Sequence, residues 1–244
     1  MRQTWRYRCG VLYDVVNKTK ARIFVTGLTA GSHGSNVEGK LYACHLGASS
    51  GNEIEEEDWE VINLDKLTYA GNMQSLGDVA EGPRYHFIKG DICDRDLVET
   101  IFAEYDIDTV VHFAAESHVT RSIYDNSLFF ETDVIGTQVL ANAIVNHPVE
   151  RFIHISSSEV YGTALTAPMN EEHPLNPMSP YAAAKAGADR LVYSYIHTYG
   201  LPAVIVRPFN NYGPFQHLEK AIPNFITSAL NDQPLTVHGG GQSL

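Results

Sequence analysis

The chain has 244 residues, of which 44% are hydrophobic and 10% aromatic, so it can bury a complete core as one domain with the start of a second. Its 29 acidic and 17 basic side chains give a formal net charge of -12, which argues against a basic surface that binds nucleic acid. Its cysteines, Cys9, Cys44 and Cys93, lack the spacing of metal ligands, so we expect free thiols, no metal site and a reducing compartment.

Residues 1–21 are predicted to be an N-terminal extension. They include basic side chains but neither a sustained apolar core nor a small-residue cleavage site, so they lack the pattern of a signal peptide. No apolar stretch of the chain approaches the ~18 residues that are needed to span a bilayer. We therefore expect a cytoplasmic protein with no membrane segment, whose main domain begins at residue 22.

Short apolar runs alternate with helical patterns along the rest of the chain. The runs are rich in β-branched residues, as in strands that are buried on both faces. The predicted strands are residues 22–26, 60–64, 85–88, 109–113, 151–155 and 203–206, and the predicted helices are residues 96–105, 127–146, 180–199 and 218–230. This alternation predicts an α/β fold with a doubly wound parallel sheet of the Rossmann type over residues 22–208, with ligands bound across the carboxyl ends of the strands.

A glycine-rich loop follows the first predicted strand. Gly27, Gly31 and Gly34 would let the backbone approach a pyrophosphate, which the N–H groups of a following helix then bind. Segment 35–51 has little apolar periodicity, although the fold needs a firm helix there. Asp65 ends the second predicted strand, where a carboxylate accepts hydrogen bonds from the ribose hydroxyls and repels a 2′-phosphate. The pattern predicts NAD rather than NADP, with a glycine loop of altered form.

Hydroxyl side chains follow the fifth predicted strand, and a tyrosine and a lysine open the helix downstream. Tyr181 and Lys185 are four residues apart and therefore share one face of that helix. We expect the lysine ammonium to lower the pKa of the phenol from ~10 toward neutrality, so that Tyr181 acts as a base. Ser157 would bind the same substrate oxygen while a nicotinamide ring takes a hydride from the carbon beneath it.

Four further segments, residues 63–72, 90–94, 112–119 and 207–214, complete a family pattern. With the Ser-Ser-Ser-Glu-Val-Tyr-Gly run at 156–162, they make residues 59–244 resemble the extended short-chain dehydrogenases/reductases that act on nucleotide sugars. This group contains dTDP-glucose 4,6-dehydratases, UDP-sugar 4-epimerases and UDP-glucuronate decarboxylases, and the chain is most similar to the dehydratases. The resemblance implies a nucleotide-sugar substrate, NAD as cofactor, and a homodimer in which helices 127–146 and 180–199 of both protomers form a four-helix bundle.

The resemblance also assigns individual residues to a catalytic set, a cofactor set and a substrate set. The catalytic set is Ser157, Glu159, Tyr181 and Lys185. The cofactor set is Gly27, Gly31, Gly34, Asp65, Lys66, Thr68, Asp91, Ile92, Phe113, Ala114, Ala115, Ser117, Thr132, Tyr181, Lys185 and Asn211. The substrate set is Glu116, Ser157, Ser158, Asn210, Lys220, Ala221, Thr236 and His238. The chain departs from the family pattern at the glycine loop, which is one residue longer, and at Asp133, where the family commonly has Asn.

The reactions of this group share an oxidation at sugar C4 and differ in their later steps. A 4,6-dehydratase removes the C5 proton with a base, here Glu159, and needs an acid to expel the C6 hydroxyl. Dehydratases typically have Asp at the position of Ser158, and a serine hydroxyl is too weak an acid to replace it. A 4-epimerase needs no such acid, and a decarboxylase would need a cation such as Arg121 for the sugar carboxylate. The segment 63–72 favours the dehydratase.

Residues 209–244 are predicted to begin a substrate-binding lobe. Relatives continue past the position of Leu244 with another strand and a helical region, so the lobe is expected to be truncated in this chain. A non-catalytic alternative therefore stays open, in which the chain is a nucleotide-binding remnant that regulates or contacts a partner.

Overall fold

Strands that lie parallel to one another form the centre of the molecule. The computed structural model describes residues 20–27, 58–213 and 215–237. Within them the strands are β1 (Lys20–Thr26), β2 (Asp58–Asp65), β3 (Tyr85–Lys89), β4 (Thr109–His112), β5 (Arg151–Ile155) and β6 (Ala203–Val206). They form one sheet in the order β3-β2-β1-β4-β5-β6, and every pairing is parallel. The order changes direction between β1 and β4, so the prediction of a doubly wound parallel sheet is confirmed.

The described helices flank this sheet. They are α1 (Arg95–Glu104), α2 (Val119–Tyr124), α3 (Ser127–Asn146), α4 (Pro180–Tyr199) and α5 (Ala221–Leu230). Two 3-10 helices occupy Met73–Glu81 and Ser158–Tyr161, and α3 contains a π-helical stretch at Phe130–Gly136. The long helices lie where the periodicity predicted them, although α5 begins three residues later. The sequence did not predict α2, because six residues are too few to show a helical period.

Local sequence signals fix the two ends of α4, the helix that carries Tyr181 and Lys185. The Ser179 side chain caps its start by accepting a hydrogen bond from the Ala182 N–H at 3.1 Å, and Pro180 follows at the first helical position. At the other end Gly200 adopts a left-handed conformation with φ of 68°. These residues therefore determine where α4 begins and where it ends.

The sheet is buried on both faces by two apolar clusters. On one face Phe24, Ile62 and Phe152, each fully buried, pack against α1, α3 and α4. On the other face, residues at alternate strand positions, such as Val61 and Val111, form a smaller cluster that includes Leu76 of the first 3-10 helix. Because side chains alternate along a strand, this double burial explains the nearly continuous apolar runs of the sequence. It also keeps the carboxyl ends of the strands in a fixed register.

The expectation that no apolar stretch is long enough to span a bilayer was wrong. The helix α3 has 20 residues and contains a stretch with a mean hydropathy of 1.3, which is long and apolar enough to cross a membrane by length and composition. Half of that stretch is buried inside the protein, and residues such as Val139, Leu140 and Ile144 belong to the main core cluster. The core helix of a folded domain can have the same length and composition as a membrane-spanning helix. Burial rather than hydropathy therefore distinguishes these two kinds of helix.

Some predictions fall on residues outside the described ranges. They concern the extension before residue 20, the glycines Gly31 and Gly34, segment 35–51, and His238. The division at residue 208 into a main domain and a second lobe also stays a prediction. Of the second lobe, the structure describes residues 209–213 and 215–237. They include α5, which contains no buried residue.

Candidate active site

A first cleft opens at the carboxyl ends of β1, β2 and β4, where the strand order changes direction. It is lined by Gly27, Leu64, Asp65, Lys66, Thr68, Gly90, Asp91, Ile92, Ala114, Ala115, Glu116 and Thr132. Nine of these residues belong to the predicted cofactor set, and Glu116 belongs to the predicted substrate set. Sequence reasoning missed Leu64 and Gly90, although each directly precedes a predicted cofactor residue. This is the position at which doubly wound sheets bind dinucleotides.

Gly27 allows the ends of β1 and β4 to approach each other at the floor of this cleft. Its φ is +73°, and a Cβ atom on it would lie 2.6 Å from the Ala114 Cα and 2.7 Å from the Ala114 nitrogen. Both are backbone atoms, so they cannot move aside as the end of a flexible side chain would. The position therefore requires glycine, which keeps the end of β1 and the loop after β4 close together.

Replacing Gly27 with alanine is expected to destabilise the protein more than the same change at Gly200. Gly200 has a similar φ of +68°, but no atom lies within 4 Å of the added Cβ, so only the left-handed backbone is penalised, by about 1–2 kcal/mol. At Gly27 the clash with Ala114 adds about 1–3 kcal/mol. Urea denaturation of both variants measures the difference. Equal losses of unfolding free energy would contradict the predicted close approach.

Two carboxylates line the first cleft at the ends of β2 and β3. The Asp65 Oδ1 atom accepts a hydrogen bond from the Leu67 N–H at 2.8 Å, which fixes the side chain at the strand end. Asp91 forms an ion pair with Lys66 and accepts a hydrogen bond from the Cys93 N–H at 2.9 Å. Although burial alone would raise it, the Lys66 and Cys93 hydrogen bonds hold the pKa of Asp91 below its usual value. The carboxylates can accept hydrogen bonds from ribose hydroxyls.

A second cleft lies beside the first, between the end of β5, the start of α4 and the segment after β6. It is lined by Ser117, Ser157, Ser158, Glu159, Tyr181, Pro208, Phe209, Asn210, Asn211, Gln216 and Lys220. It thus brings together three predicted catalytic residues and four of the predicted substrate residues. Ser117 and Asn211, which the resemblance assigned to the cofactor, also lie here. Sequence reasoning missed Gln216, whose side-chain amide donates to the Asn211 carbonyl at 3.1 Å.

The other predicted site residues within the described ranges line neither cleft. Phe113 belongs to the smaller apolar cluster, and Lys185 is buried beneath the second cleft with 2% of its surface exposed. Ala221 and Thr236 are exposed on the second lobe. The roles assigned to these residues stay predictions.

The hydroxyl groups of Tyr181 and Ser157 meet at the floor of the second cleft. Tyr181 is 3% exposed, and its side chain is hydrogen bonded to Ser157. The Tyr181 N–H donates to the Ser122 hydroxyl at 3.1 Å, which attaches the start of α4 to α2. Ser157 in turn caps the second 3-10 helix, where its Oγ accepts a hydrogen bond from the Glu159 N–H at 3.2 Å. Two fixed hydroxyls can therefore bind one ligand oxygen.

The prediction that Lys185 shifts the pKa of Tyr181 toward neutrality was wrong. Burial raises the pKa of the Tyr181 phenol; the Ser157 hydrogen bond opposes this shift, and the carboxyl groups of Asp133 and Glu159 reinforce it. The Lys185 ammonium donates to the Ile155 carbonyl at 2.8 Å. Burial also lowers the pKa of Lys185, which the nearby carboxyl groups of Asp133 and Asp189 oppose. Helical spacing placed the two side chains on one face but could not show how deeply they are buried.

Glu159 and Lys220 place opposite charges in the second cleft. Desolvation raises the pKa of Glu159, and Lys220 opposes this shift. Burial lowers the pKa of Lys220, and the carboxylates Glu219 and Glu159 oppose it. The Lys220 Nζ atom donates to the Ser117 carbonyl at 3.3 Å, so it connects the second lobe to the loop after β4. Both groups have pKa values that are shifted toward neutrality, as acid–base chemistry requires.

A buried ionic network supports the turn that carries Ser157. The Asp189 carboxylate, which is fully buried, accepts hydrogen bonds from the Ser156 hydroxyl at 2.8 Å and from the Arg207 Nε atom at 2.7 Å. Arg207 also donates to the Tyr161 hydroxyl at 2.8 Å. Although burial alone would raise it, the hydrogen bonds from Arg207, Arg190 and Ser156 hold the pKa of Asp189 below its usual value. The network joins the ends of β5 and β6 to α4.

Comparison with known proteins identifies the family of this chain and several relatives. The family profile described as GDP-mannose 4,6 dehydratase matches residues 45–244. A dTDP-glucose 4,6-dehydratase of Actinoplanes sp. is 45% identical over 185 residues, which are 76% of this chain and 57% of that protein. The crystal structure of DesIV (dTDP-glucose 4,6-dehydratase) from Streptomyces venezuelae with NAD and TYD bound is 43% identical, with a TM-score of 0.76 over 89% of this chain and 65% of that one.

An epimerase shares the fold at lower identity. The UDP-glucuronic acid 4-epimerase from Bacillus cereus, in complex with UDP-glucuronic acid and NAD, is 28% identical with a TM-score of 0.77. The match covers 90% of this chain and 66% of that one. The chain spans less than two thirds of the length of each of these proteins.

Proposed function

Because the chain belongs to the GDP-mannose 4,6 dehydratase family of extended short-chain dehydrogenases/reductases, we propose that it carries the NAD site and the catalytic residues of a nucleotide-sugar 4,6-dehydratase. The observation that carries the proposal is the hydrogen-bonded Ser157–Tyr181 pair at the floor of the second cleft, directly beside the first cleft at the switch point of the sheet. The high identity to dTDP-glucose 4,6-dehydratases favours dTDP-glucose as the substrate.

The residues of the first cleft fit NAD. Gly27 presents bare backbone where a pyrophosphate would pass, and Ala114 and Ala115 leave room beside it. Asp65 and Asp91 offer carboxylates to the ribose hydroxyls and would repel an added 2′-phosphate. When bound, NAD would supply a nicotinamide ring that takes a hydride from sugar C4 and later returns it.

Tyr181 and Ser157 would act on the C4 hydroxyl. The Ser157 hydroxyl donates a hydrogen bond to the oxygen of the C4 hydroxyl. Tyr181, as the phenolate, removes the proton of that C4 hydroxyl. Because burial disfavours the phenolate, the positive charge of Lys185, one helical turn away, must offset part of that penalty. The bond from Lys185 to the Ile155 carbonyl fixes its ammonium beneath the cleft.

Glu159 and Lys220 would carry the elimination. Glu159, as the carboxylate, removes the C5 proton of the keto sugar, and the C6 hydroxyl leaves as water after it gains a proton. Ser158 cannot donate that proton at neutral pH. Lys220 lies in the same cleft and has a lowered pKa, so we assign it as the donor.

A 4-epimerase is the second candidate, favoured by Ser158 at the position of the dehydratase acid. The decarboxylase has less support, because the guanidinium of Arg121 lies 3.8 Å over the Tyr69 ring and does not line the second cleft. Mass analysis after incubation with NAD and dTDP-glucose distinguishes the two main candidates. The dehydratase product is lighter by one water molecule, whereas an epimer has an unchanged mass. Binding of NAD with no reaction would support the nucleotide-binding remnant instead.

We also propose a cytoplasmic homodimer that forms through α3 and α4. Large apolar side chains are exposed on both helices, among them Phe130 and Ile135 of α3 and Tyr193 and Tyr199 of α4. A second copy that pairs the same helices would bury them in a four-helix bundle. Light scattering is expected to give twice the mass of one chain, and a monomer at all concentrations would contradict the proposal.

A further inference from the structure

Asp133 is a buried acid that the proposed reaction does not use. It lies in the π-helical stretch of α3 and is 1% exposed. Its Oδ1 atom accepts a hydrogen bond from the Glu116 N–H at 2.8 Å. Its Oδ2 atom is buried and has no hydrogen-bond partner among the described residues. Burying an unsatisfied carboxyl oxygen is unfavourable, so its presence here calls for an explanation.

The surroundings of Asp133 place it between the two clefts. The residue before it, Thr132, lines the first cleft, and the loop it anchors through Glu116 continues to Ser117 in the second cleft. The Ser117 hydroxyl is also buried without a described partner. Asp133 therefore fixes the loop that separates the two clefts.

Charged and titratable groups face Asp133 from each neighbouring element. The helix α4 contributes Lys185 and Tyr181, both of which interact electrostatically with the Asp133 carboxyl group. The loop after β4 contributes Glu116. From β4, the His112 Nε2 atom lies 2.9 Å from the Thr137 hydroxyl, which donates to the Asp133 backbone carbonyl. Burial lowers the pKa of His112 to about 3, so it is neutral. Lys185 is the positive group in this set.

Burial raises the pKa of Asp133 from 3.8 to about 7, and the Lys185 charge opposes this rise. The effect is mutual, because an ionised Asp133 raises the pKa of both Lys185 and Tyr181. The residue is thus neutral in acid and negatively charged above neutrality. An asparagine, which the family commonly has here, would keep the bond from Glu116 and stay neutral at every pH.

We propose that Asp133 is a positioning residue whose carboxyl group sets the proton balance of the Tyr181–Lys185 pair. As a neutral acid it leaves the Lys185 charge available to stabilise the Tyr181 phenolate. As a carboxylate it attracts the Lys185 ammonium electrostatically and disfavours the Tyr181 phenolate. This inference rests on the function proposed for Tyr181 and Lys185, and it adds a titrating group that an asparagine would lack.

The test compares Asp133→Asn with the unchanged protein. Melting temperature against pH is the first measurement and requires no activity. A carboxyl group with a raised pKa in the folded state contributes stability below its unfolded value of 3.8, and this contribution is lost as the pH rises through about 7. Relative to Asp133→Asn, the melting temperature of the unchanged protein is therefore expected to fall as the pH rises from 4 to 8, because this range covers most of the window between 3.8 and about 7.

The second measurement is the pH profile of keto-sugar formation. In Asp133→Asn the limb that reports Tyr181 ionisation is expected to move to lower pH by about one unit, because a nearby negative charge is removed. Asp133→Ala, which loses the Glu116 bond as well, is the structural control. Asp106→Asn removes a carboxylate whose side chain is 97% exposed and should change neither measurement.

The results separate the possible explanations. A melting-temperature difference that does not depend on pH would overturn the inference, whatever the activity. A Tyr181 limb that lies at the same pH in Asp133→Asn and in the unchanged protein would also overturn it, because the Asp133 charge would then have no effect on Tyr181. If the protein forms no keto sugar, the proposed function fails, and the melting measurement still decides whether Asp133 titrates near neutrality.

Discussion

Replacement of Tyr181 with phenylalanine is expected to slow keto-sugar formation by a factor of about 10²–10⁴. The variant keeps the ring, which packs edge-on against Phe129, and loses the hydroxyl that is bonded to Ser157. Without it, the second cleft lacks the group that we propose takes the proton of the C4 hydroxyl. Product formation by mass spectrometry measures the rate, and calorimetric titration should show that NAD affinity changes far less.

Tyr195→Phe is the matched control for that variant. Tyr195 lies on the same helix, and its hydroxyl donates to the Asn142 side chain at 2.7 Å, away from both clefts. This control should keep nearly full activity. If Tyr181→Phe also keeps it, Tyr181 is not the base and the proposed chemistry fails.

Replacement of Asp189 with alanine is expected to lower the free energy of unfolding by about 3–5 kcal/mol. Asp189 is fully buried, and the Arg207 side chain that it pairs with is 14% exposed. Removing the carboxylate leaves a guanidinium with little access to water and also releases the Ser156 hydroxyl. Urea denaturation monitored by fluorescence measures the loss.

An exposed ion pair supplies the comparison for Asp189. Glu99 pairs with His147 near the surface, so Glu99→Ala should cost less than about 1 kcal/mol. A loss of that small size for Asp189→Ala would show that the network beneath the Ser157 turn does not stabilise the fold.

The strands, the sheet type and the long helices could be predicted from the sequence because they depend on local rules. The continuous apolar runs reflect burial on both faces, and Ser179, Pro180 and Gly200 mark the ends of α4. Parallel strands end at one edge of the sheet, so Asp65 and Asp91 could be placed in one cleft before the fold was known.

Other features depend on tertiary packing and could not be predicted. The depth of Tyr181 reverses the expected direction of its pKa shift, and the Lys185 ammonium uses a backbone carbonyl from β5. The unpartnered oxygen of Asp133 depends on contacts between α3 and the loop after β4. Residues that are distant in sequence create each of these environments, and no local pattern reports them.

A deuterium label at C4 of dTDP-glucose tests the proposed hydride transfer directly, because the position of the label in the product shows where the hydride went. A dehydratase moves the hydride from C4 to C6, so with NAD present we predict a product that has lost water and carries the deuterium at C6, as measured by nuclear magnetic resonance. An epimerase would return the label to C4 of an isomer of unchanged mass. Recovery of the sugar unchanged, with the label still at C4 although NAD binds, would contradict the proposal that the Ser157–Tyr181 cleft oxidises a nucleotide sugar.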